Sequence, residues 1–281
     1  MIPPRFWLRT LTALTLLAVP LAGLARSEDN PRPIRALLVL GGCCHDYAKQ
    51  KDILAHGLAA RANVQVTIAY DPDTSTHHLN PVYDDPDWAK GYDVIIHDEC
   101  SSDVKDLKVI DRILKPHRAG LPAVILHCGM HCYRSEGWPT ATTPWFEFTG
   151  LPTTAHGPQL PIAVTFTHPD SPITHGLEDW TTVNEELYNN SAGKLLHTAQ
   201  TLARGKQTVP GKNGTTTTHD YVVVWTNHYR DKTRVFATTL GHNNATVSDP
   251  RYLDLVTRGL LWSTGHLTEE GKPAPGYEAR K

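Results

Sequence analysis

The 281-residue chain carries no excess of basic residues, since 27 Lys and Arg stand against 29 Asp and Glu and give a formal net charge of −2. Proteins that bind nucleic acid or anionic membranes through their overall charge show a basic excess or a basic patch. Hydrophobic residues make up 40% of the chain, which is typical of an ordinary globular domain. We therefore expect no nucleic-acid partner.

Long apolar runs are scarce. Beyond residue 25, no stretch approaches the roughly 20 apolar residues that a membrane-spanning helix needs. Within residues 1–25, Arg5 and Arg9 precede the apolar run 11–24, and small residues allow cleavage after Ala25. This order is typical of a secretory signal peptide. We expect residues 1–25 to be removed near Ala25, and the mature chain to be periplasmic or extracellular without a transmembrane segment.

Two common metal-site motifs, His-Glu-x-x-His and Cys-x-x-Cys, are also absent. The five cysteines lie in loops predicted to follow strands. They are Cys43, Cys44, Cys100, Cys128 and Cys132. Outside the cytoplasm, cysteines are usually paired. We expect at least one disulfide between two of these loops, with a thiolate metal site as the alternative.

Short apolar runs alternate with helix-like segments in the first half of the chain. The predicted strands are Ile34–Leu40, Val64–Tyr70, Tyr92–Ile96 and Ala123–Leu126. A helix-like segment reaching Ala62 and another over 103–118 separate them. This alternation predicts a parallel sheet with right-handed crossovers.

After Gly150 the pattern changes to β-like segments with few helices. They lie at 161–167, 183–188, 195–201, 221–225 and 234–239, with a polar hairpin excursion over 204–219. Asp249 and Pro250 then predict the start of a final amphipathic helix. We expect an α/β fold with a doubly wound, mostly parallel sheet and an added β-rich portion. The predicted organisation is a linker at 26–33, one domain at 34–267 and a flexible tail at 268–281.

Polar residues follow several predicted strands at their carboxyl ends. In open α/β sheets, ligands bind at that edge, and residues from different strand ends meet there. The strand-end residues of this kind are His45, His97, Asp98, Glu99, His127, His131 and His242. We expect them to converge on one site.

Several motifs carry a resemblance to a known family. They include Gly41-Gly42 with His45, His127 after the central strand, and Thr239-Leu240-Gly241-His242 before a helix that ends at Trp262. Further along, the resemblance includes Trp138, the segment 172–177 and Glu185-Glu186-Leu187-Tyr188. The chain resembles the ThuA-like (trehalose utilisation) family. The resemblance implies a glutamine amidotransferase-like (flavodoxin-like) fold and a role in sugar metabolism. His156-Gly157 and Asn184 depart from the family pattern.

These patterns together predict the residues of the site. The expected catalytic residues are His127, His242, Glu99 and Glu185, with Glu186 as the other carboxylate open to that role. The expected substrate-binding residues are Gly42, His45, Asp98, His131, Trp138, His156 and Tyr188. Trp138, Trp145 and Tyr188 could form an aromatic wall against a sugar ring.

The chemistry of the site stays open at this stage. Neutral imidazoles suit Zn²⁺ and similar ions, so His45, His127, His131 and His242 could hold a divalent metal such as Zn or Mn. Metal-free acid–base catalysis is the rival. The expected ligand is a small carbohydrate, and hydrolase, lyase or isomerase action on a sugar or keto-sugar derivative is the leading prediction. A non-catalytic carbohydrate-binding module is the alternative. A glutaminase is less favoured, because no glycine stands two residues before Cys128.

Overall fold

The computed structural model describes residue 1, residues 31–191 and residues 195–280. The predicted signal peptide and most of the predicted linker lie outside these residues. In the described residues, nine strands form one sheet, and they are β1 (Ile34–Gly42), β2 (Val64–Asp71), β3 (Val94–Cys100), β4 (Ala123–Leu126), β5 (His156–Phe166), β6 (Trp180–Tyr188), β7 (Ala199–Pro210), β8 (Thr216–Tyr229) and β9 (Thr233–Thr238). The helices are α1 (Tyr47–Ala59), α2 (Leu107–Arg118), α3 (Pro144–Thr149), α4 (Asn244–Val247) and α5 (Pro250–Thr264).

One half of the sheet is parallel, in the order β2-β1-β3-β4-β9. Counted along the chain, this is the order 2-1-3-4-5 of flavodoxin-like folds. Helices α1 and α5 bury apolar side chains in the core on one face, whereas α2 and α3 bury theirs on the other. The sequence prediction of a doubly wound α/β sheet is confirmed.

The other half of the sheet is antiparallel, in the order β9-β8-β7-β5-β6. It is the β-rich portion expected after residue 150. The hairpin over 204–219 is almost entirely strand, since β7 runs to Pro210 and β8 resumes at Thr216. Its side chains are mostly exposed and polar, so the apolar alternation that marks a strand is missing there.

Strand β1 and helix α5 position the loops at the carboxyl edge of the sheet. Strand β1 is an apolar run buried on both faces, as parallel strands between helical layers are. Helix α5 begins where the Asp249 carboxylate accepts a hydrogen bond from the Arg251 amide, with Pro250 in the first turn. Gly259 lets α5 approach β9, because a Cβ there would lie 2.3 Å from the Phe236 ring. The helix therefore fixes the position of the loop that carries His242.

One predicted strand end differs from the structure in a way that affects the site. Strand β3 does not end at Ile96 but continues through His97, Asp98 and Glu99 to Cys100, which pairs with Gly42 of β1. Polar residues made the strand look shorter than it is, because they bury inside the sheet only with hydrogen-bonding partners that the sequence does not reveal.

The segment 268–280 packs on the domain rather than extending free as the flexible tail expected from its composition. The Tyr277 carbonyl accepts a 2.8 Å hydrogen bond from the Asn63 amide. The Tyr277 ring stacks on His266, with ring centroids 3.7 Å apart. One aromatic residue in a polar segment therefore suffices to dock it. None of the helices in the described residues is long and apolar enough to cross a membrane.

Candidate active site at the carboxyl edge of the sheet

Three histidines from three different strand ends meet at one place. His45 follows β1, His127 follows β4, and His242 follows β9. The His45 ring centroid lies 4.6 Å from that of His127 and 4.9 Å from that of His242, and the latter two are 5.6 Å apart. The structure therefore brings these predicted residues together at the edge where ligands bind in such folds.

Gly42 shapes this edge through its backbone. Its φ is +94°, and a Cβ at this position would lie 2.3 Å from the Cys100 carbonyl oxygen. Only glycine permits this approach without strain. We predicted Gly42 as a substrate-binding residue, but the structure shows that it lets β1 and β3 close together before the loop of His45.

His127 occupies the sharp turn after β4. It has a positive φ of 41°, a conformation that a non-glycine residue adopts at a cost and that clusters at functional sites. Its Nδ1 donates to the Thr239 carbonyl at 2.6 Å, which leaves Nε2 as an acceptor for the Tyr188 hydroxyl at 3.2 Å. The turn and the backbone bond fix both the tautomer and the direction of this imidazole.

Glu186 is the carboxylate at the centre of the cluster. Its Oε2 lies 3.3 Å from His242 Nδ1 and 3.6 Å from Nε2 of both His127 and His156. Glu185 instead accepts hydrogen bonds from the backbone amides of Gly241, His242 and Asn243. The predicted role of Glu185 is therefore corrected: it holds the loop of His242, and Glu186 faces the histidines.

Alternation along β6 explains why the two glutamates differ. Successive side chains in a strand point to opposite faces, so Glu186 shares a face with Tyr188 and Glu185 does not. Tyr188 was predicted to face the ligand. Combined with the two-residue period, that prediction would have selected Glu186. Gln159 pairs with Glu186 across the strands, and its side chain lies 2.8 Å from His242. Nothing in the sequence pattern points to Gln159 as a site residue.

The site favours an ionised Glu186 and a protonated His242. Burial by itself raises the pKa of Glu186, but the neighbouring imidazoles of His127 and His242 outweigh it, and the pKa lies well below its ordinary value. The hydrogen bond to Glu186 raises the pKa of His242 above 6.5. Each residue therefore favours the charged form of the other.

His45 and His131 have the opposite tendency. Burial lowers the pKa of His45, and burial followed by the nearby charge of Arg134 lowers the pKa of His131 well below 6.5. Both rings are neutral near pH 7. Both nitrogens of His45 and Nε2 of His131 are buried, and none has a hydrogen-bond partner among the described residues. Buried polar atoms without partners are costly, so these nitrogens are suited to a ligand or an ion.

A cavity of about 330 Å³ opens onto this cluster, within the range of about 300–1,000 Å³ that small-molecule sites occupy. Its lining includes His45, His131, Arg134, His156, Glu186 and Tyr188. The His131 and Tyr188 rings stack with centroids 4.0 Å apart and an interplanar angle of 6°. His127 and His242 lie behind this lining and contact Glu186. The carboxylate thus connects the cavity to both imidazoles.

The other two aromatic residues of the predicted wall lie elsewhere. Trp145 is fully buried and donates its indole N–H to the Gly129 carbonyl at 3.0 Å. Trp138 lines a separate hollow beside Lys105 and Glu136. The predicted place of Trp138 in the substrate site is therefore not what the structure shows, because the chain leaves the histidine cavity after Arg134.

A second histidine–glutamate cluster lies inside the protein. The Glu99 Oε1 atom is 2.7 Å from the Tyr83 hydroxyl, 2.9 Å from the Tyr133 hydroxyl and 2.9 Å from His97 Nδ1. His97 Nε2 lies 3.1 Å from His117 Nε2. Glu99, His97 and His117 are fully buried. The predicted catalytic role of Glu99 does not fit this position, since its carboxylate faces these partners rather than the cavity.

Asp98 also differs from its predicted role in substrate binding. It lies inside β3 and is 4% exposed. Burial, with a smaller contribution from Glu99, raises its pKa well above the ordinary value. Burial therefore favours the neutral form of its side chain, and Asp98 is not among the residues that line the cavity.

The residues of the site fit a divalent metal. His45, His127 and His242 each present a ring nitrogen within 4.8 Å of the other two. His45 offers buried nitrogens without partners, and His127 donates Nδ1–H to a backbone carbonyl. That bond is the usual way a metal-binding histidine is oriented. The fourth predicted ligand, His131, stacks on Tyr188 and is not part of this group.

The cysteines are arranged differently from the prediction. The one disulfide among the described residues joins the neighbours Cys43 and Cys44 within a single loop, whereas Cys100, Cys128 and Cys132 are free thiols. The expected bond between two loops is therefore not present. Contact with Cys100, and then burial, raise the pKa of Cys128 well above its ordinary value. The Cys128 sulfur lies 2.6 Å from that of Cys100, and no glycine stands two residues before Cys128, so the site does not favour a glutaminase.

Comparisons with known proteins agree with this fold. A family model described as ThuA, trehalose utilisation, matches residues 35–263. A ThuA-like protein from Parabacteroides merdae superposes with a TM-score of 0.61 at 18% identity, covering 89% of this chain and 98% of that one. A second ThuA-like protein, from Bacteroides uniformis, gives a TM-score of 0.57 at 17% identity, with coverage of 82% and 92%.

A more distant likeness is to the glutaminase domain of Trypanosoma brucei CTPS, with a TM-score of 0.46 at 12% identity and coverage of 86% and 99%. Among curated proteins, sequence comparison finds no significant match. The family model spans most of the domain, and its range includes His45, His127 and His242. The chain belongs to the ThuA family.

Proposed function

We propose that this protein is an enzyme that acts on a sugar or keto-sugar derivative bound in the histidine cavity. The observation that carries the proposal is the placement of Glu186. Its carboxylate faces a cavity of about 330 Å³ and lies within 3.6 Å of the imidazoles of His127, His156 and His242. A carboxylate embedded among titratable imidazoles at a cavity wall is typical of acid–base sites.

The cavity lining supports a carbohydrate ligand. His131 and Tyr188 give the cavity an aromatic lining, and small-molecule pockets are commonly lined by aromatic side chains. Glu186 and Arg134, which line the same cavity, provide an acceptor and a donor for hydroxyl groups. The description of the family, trehalose utilisation, points to the same class of compound.

Proton transfer is the step that the residues support. Ionised Glu186 accepts a proton at Oε2, and His242 carries one on Nδ1, 3.3 Å away. Glu186 can therefore take a proton from one substrate atom as the base, while His242 gives its own proton to another substrate atom as the acid. The proton on Glu186 then passes across the 3.3 Å contact to the deprotonated His242 and restores both groups. His127 supports this pair from behind, and its Nε2 fixes the Tyr188 hydroxyl. The arrangement serves hydrolase, lyase and isomerase chemistry alike, since each requires such a transfer.

A divalent metal, Zn or Mn, is the second form of this proposal. The buried, unpartnered nitrogens of His45 are the observation that favours it. His45, His127 and His242 would be its ligands. When bound, such an ion polarises a carbonyl or lowers the pKa of a water molecule.

We also propose that the protein acts outside the cytoplasm. The order of charged, apolar and small residues in the first 25 positions supports this. N-terminal sequencing of the protein from the producing cell tests it. A mature chain that starts near residue 26 is expected, and a soluble cytoplasmic pool that starts at Met1 would contradict export.

A screen of sugars tests the function. Wild-type protein is offered disaccharides, oligosaccharides and oxidised (keto) sugars, with added Zn²⁺ or Mn²⁺ and with a chelator. Turnover that the chelator abolishes and the metal restores supports the metal form, and turnover that the chelator leaves unchanged supports the metal-free form. Tight binding without turnover would replace the enzyme with a carbohydrate-binding module. No binding of any sugar would overturn the proposal.

A further inference from the structure

Four of the five cysteines form a continuous line of sulfur atoms. Cys43 and Cys44 are joined by a disulfide. The Cys43 Sγ lies 3.5 Å from the Cys100 Sγ, which in turn lies 2.6 Å from the Cys128 Sγ. The second contact is only about 0.5 Å longer than a disulfide bond. All four side chains line the histidine cavity.

The line of sulfurs runs from the surface to the candidate active site. Cys44 is exposed, Cys43 is partly buried, and Cys100 and Cys128 are buried. At the inner end, the Cys128 Sγ lies 3.7 Å from the Tyr188 hydroxyl, and Cys128 directly follows His127 in the chain. An external thiol therefore meets Cys44 first, while the last sulfur of the line touches a residue of the cavity.

Cys132 is separate from this line. Its thiol donates a hydrogen bond to the Glu99 carbonyl at 2.9 Å, and its sulfur accepts one from the Ser101 amide at 3.1 Å. Both partners are backbone groups near the end of β3. The Cys132 thiol therefore holds its own segment against β3 and does not face the other sulfur atoms. Four cysteines, rather than five, are thus available for exchange.

We propose that Cys44, Cys43, Cys100 and Cys128 form a dithiol–disulfide relay that carries the oxidation state of the surface to the candidate active site. Thiol–disulfide exchange proceeds by attack of a thiolate on a disulfide sulfur through a mixed disulfide. The short contacts between sulfur atoms provide the two attacks that such a relay needs. The proposal stands on these contacts and does not depend on the reaction assigned to the histidines.

The exchange proceeds in two balanced steps. The Cys100 thiolate attacks the Cys43 sulfur, so that a Cys43–Cys100 bond forms, the Cys43–Cys44 bond breaks, and Cys44 leaves as a thiolate. The Cys128 thiolate then attacks the Cys100 sulfur, forming the Cys100–Cys128 bond and releasing Cys43 as a thiolate.

The two protons lost by Cys100 and Cys128 finally reside on Cys43 and Cys44. Two electrons have moved to the Cys43–Cys44 pair, which is reduced while the inner pair is oxidised. No external oxidant is needed for the internal exchange. An external thiol or disulfide, of the glutathione class, would reset the outer pair through Cys44.

Peptide mapping of the wild-type protein tests the relay. Trypsin separates the cysteines into the peptides 36–49, 91–105 and 119–134. The protein is equilibrated in glutathione buffers of stepped ratio, quenched with acid, alkylated and digested. We expect the one-disulfide fraction to contain both an internally oxidised 36–49 and a cross-link between 91–105 and 119–134. A Cys132→Ala control should keep the same cross-link, because Cys128 and not Cys132 forms it.

A trapping variant tests the first step. In Cys44→Ser/Cys128→Ser, the mixed disulfide has no thiol to resolve it, so oxidation should link 36–49 to 91–105 through Cys43 and Cys100. Two results would overturn the relay. One is a wild-type one-disulfide fraction that holds Cys43–Cys44 alone at every buffer ratio. The other is a set of inner thiols that resist alkylation until a chelator is added, which would identify a thiolate metal site instead.

Discussion

His97 and His127 each follow an apolar run of the parallel sheet, and each has a glutamate close by, yet their surroundings differ. The His97 ring is fully buried and contacts Glu99 and His117, and Glu99 also binds two tyrosine hydroxyls. The cluster of His45, His127, His242 and Glu186 opens onto a cavity and includes nitrogens without partners.

The difference lies in how the hydrogen-bonding capacity is used. In the inner cluster, His117 donates Nδ1–H to the Leu121 carbonyl, so its Nε2 can accept from His97 Nε2, which lies 3.1 Å away. The other nitrogen of His97, Nδ1, lies 2.9 Å from Glu99 Oε1. Burial lowers the pKa of His117 to about 3, which keeps that ring a neutral acceptor. The ring nitrogens of both inner histidines have partners inside the protein, and among the polar atoms of the inner cluster only Glu99 Oε2 has none in the described residues. This arrangement fits a role in the fold. The outer cluster keeps capacity for a ligand.

The comparison predicts the largest effect on turnover for His45→Ala. His45 lines the cavity, and neither of its nitrogens has a partner in the described structure, so its loss removes a group that only a ligand or ion would use. We expect turnover to fall by about 10²–10³-fold, the loss typical when one hydrogen-bonding group at a reacting centre is removed. Steady-state kinetics with the sugar found by the screen measures this. His56→Ala, an exposed control on α1, should retain wild-type turnover, and an equal loss in both variants would break the comparison.

For the inner cluster, Glu99→Gln should act on stability instead. It removes the charge from a fully buried pair with His97, and breaking such a pair costs about 3–5 kcal/mol in the free energy of unfolding. Urea denaturation measures this loss. Exposed Glu178→Gln should change stability by less than about 0.5 kcal/mol. A Glu99→Gln protein that is as stable as wild type but inactive would place the inner cluster in the active site.

A smaller effect is expected at the cavity wall. Tyr188→Phe removes the hydroxyl that bonds His127 Nε2, a loss of about 1 kcal/mol, or roughly fivefold in ligand affinity or turnover. Trp138→Phe should change neither quantity, because Trp138 lines a different hollow. Isothermal titration calorimetry and kinetics compare the two. A larger loss at Trp138 would restore the aromatic wall predicted from the sequence.

The smallest effect concerns pH. Because Glu186 raises the pKa of His242 above 6.5, protonated His242 stabilises the metal-free fold. This contribution is fully present below pH 6.5 and is lost as the pH rises through the raised pKa. Urea midpoints measured with chelator across this range should show a wild-type advantage over His242→Gln that shrinks toward alkaline pH. A constant advantage would mean that His242 is not paired with Glu186 through its charge.

Much of the outer site was predictable from the sequence. His45, His127 and His242 each follow an apolar run, and the topology of parallel sheets places such residues at one edge. Glu185 was chosen over Glu186 because the sequence does not show that the Glu185 carboxylate binds the backbone amides of another loop. The two-residue period of a strand, counted from Tyr188, would have selected Glu186. The polar residues of β3 were misplaced for a related reason, since their partners Tyr83 and Tyr133 come from distant segments.

The central claim is that the outer cluster acts on a ligand and the inner one supports the fold, and Glu186→Gln measured beside Glu99→Gln tests it most directly. Each variant is assayed for turnover per folded molecule and for the urea midpoint. The account predicts that Glu186→Gln loses turnover while its midpoint stays close to wild type, and that Glu99→Gln does the reverse. A Glu186→Gln protein that keeps full turnover but loses several kcal/mol of stability (on the order of the buried-pair penalty) would contradict it.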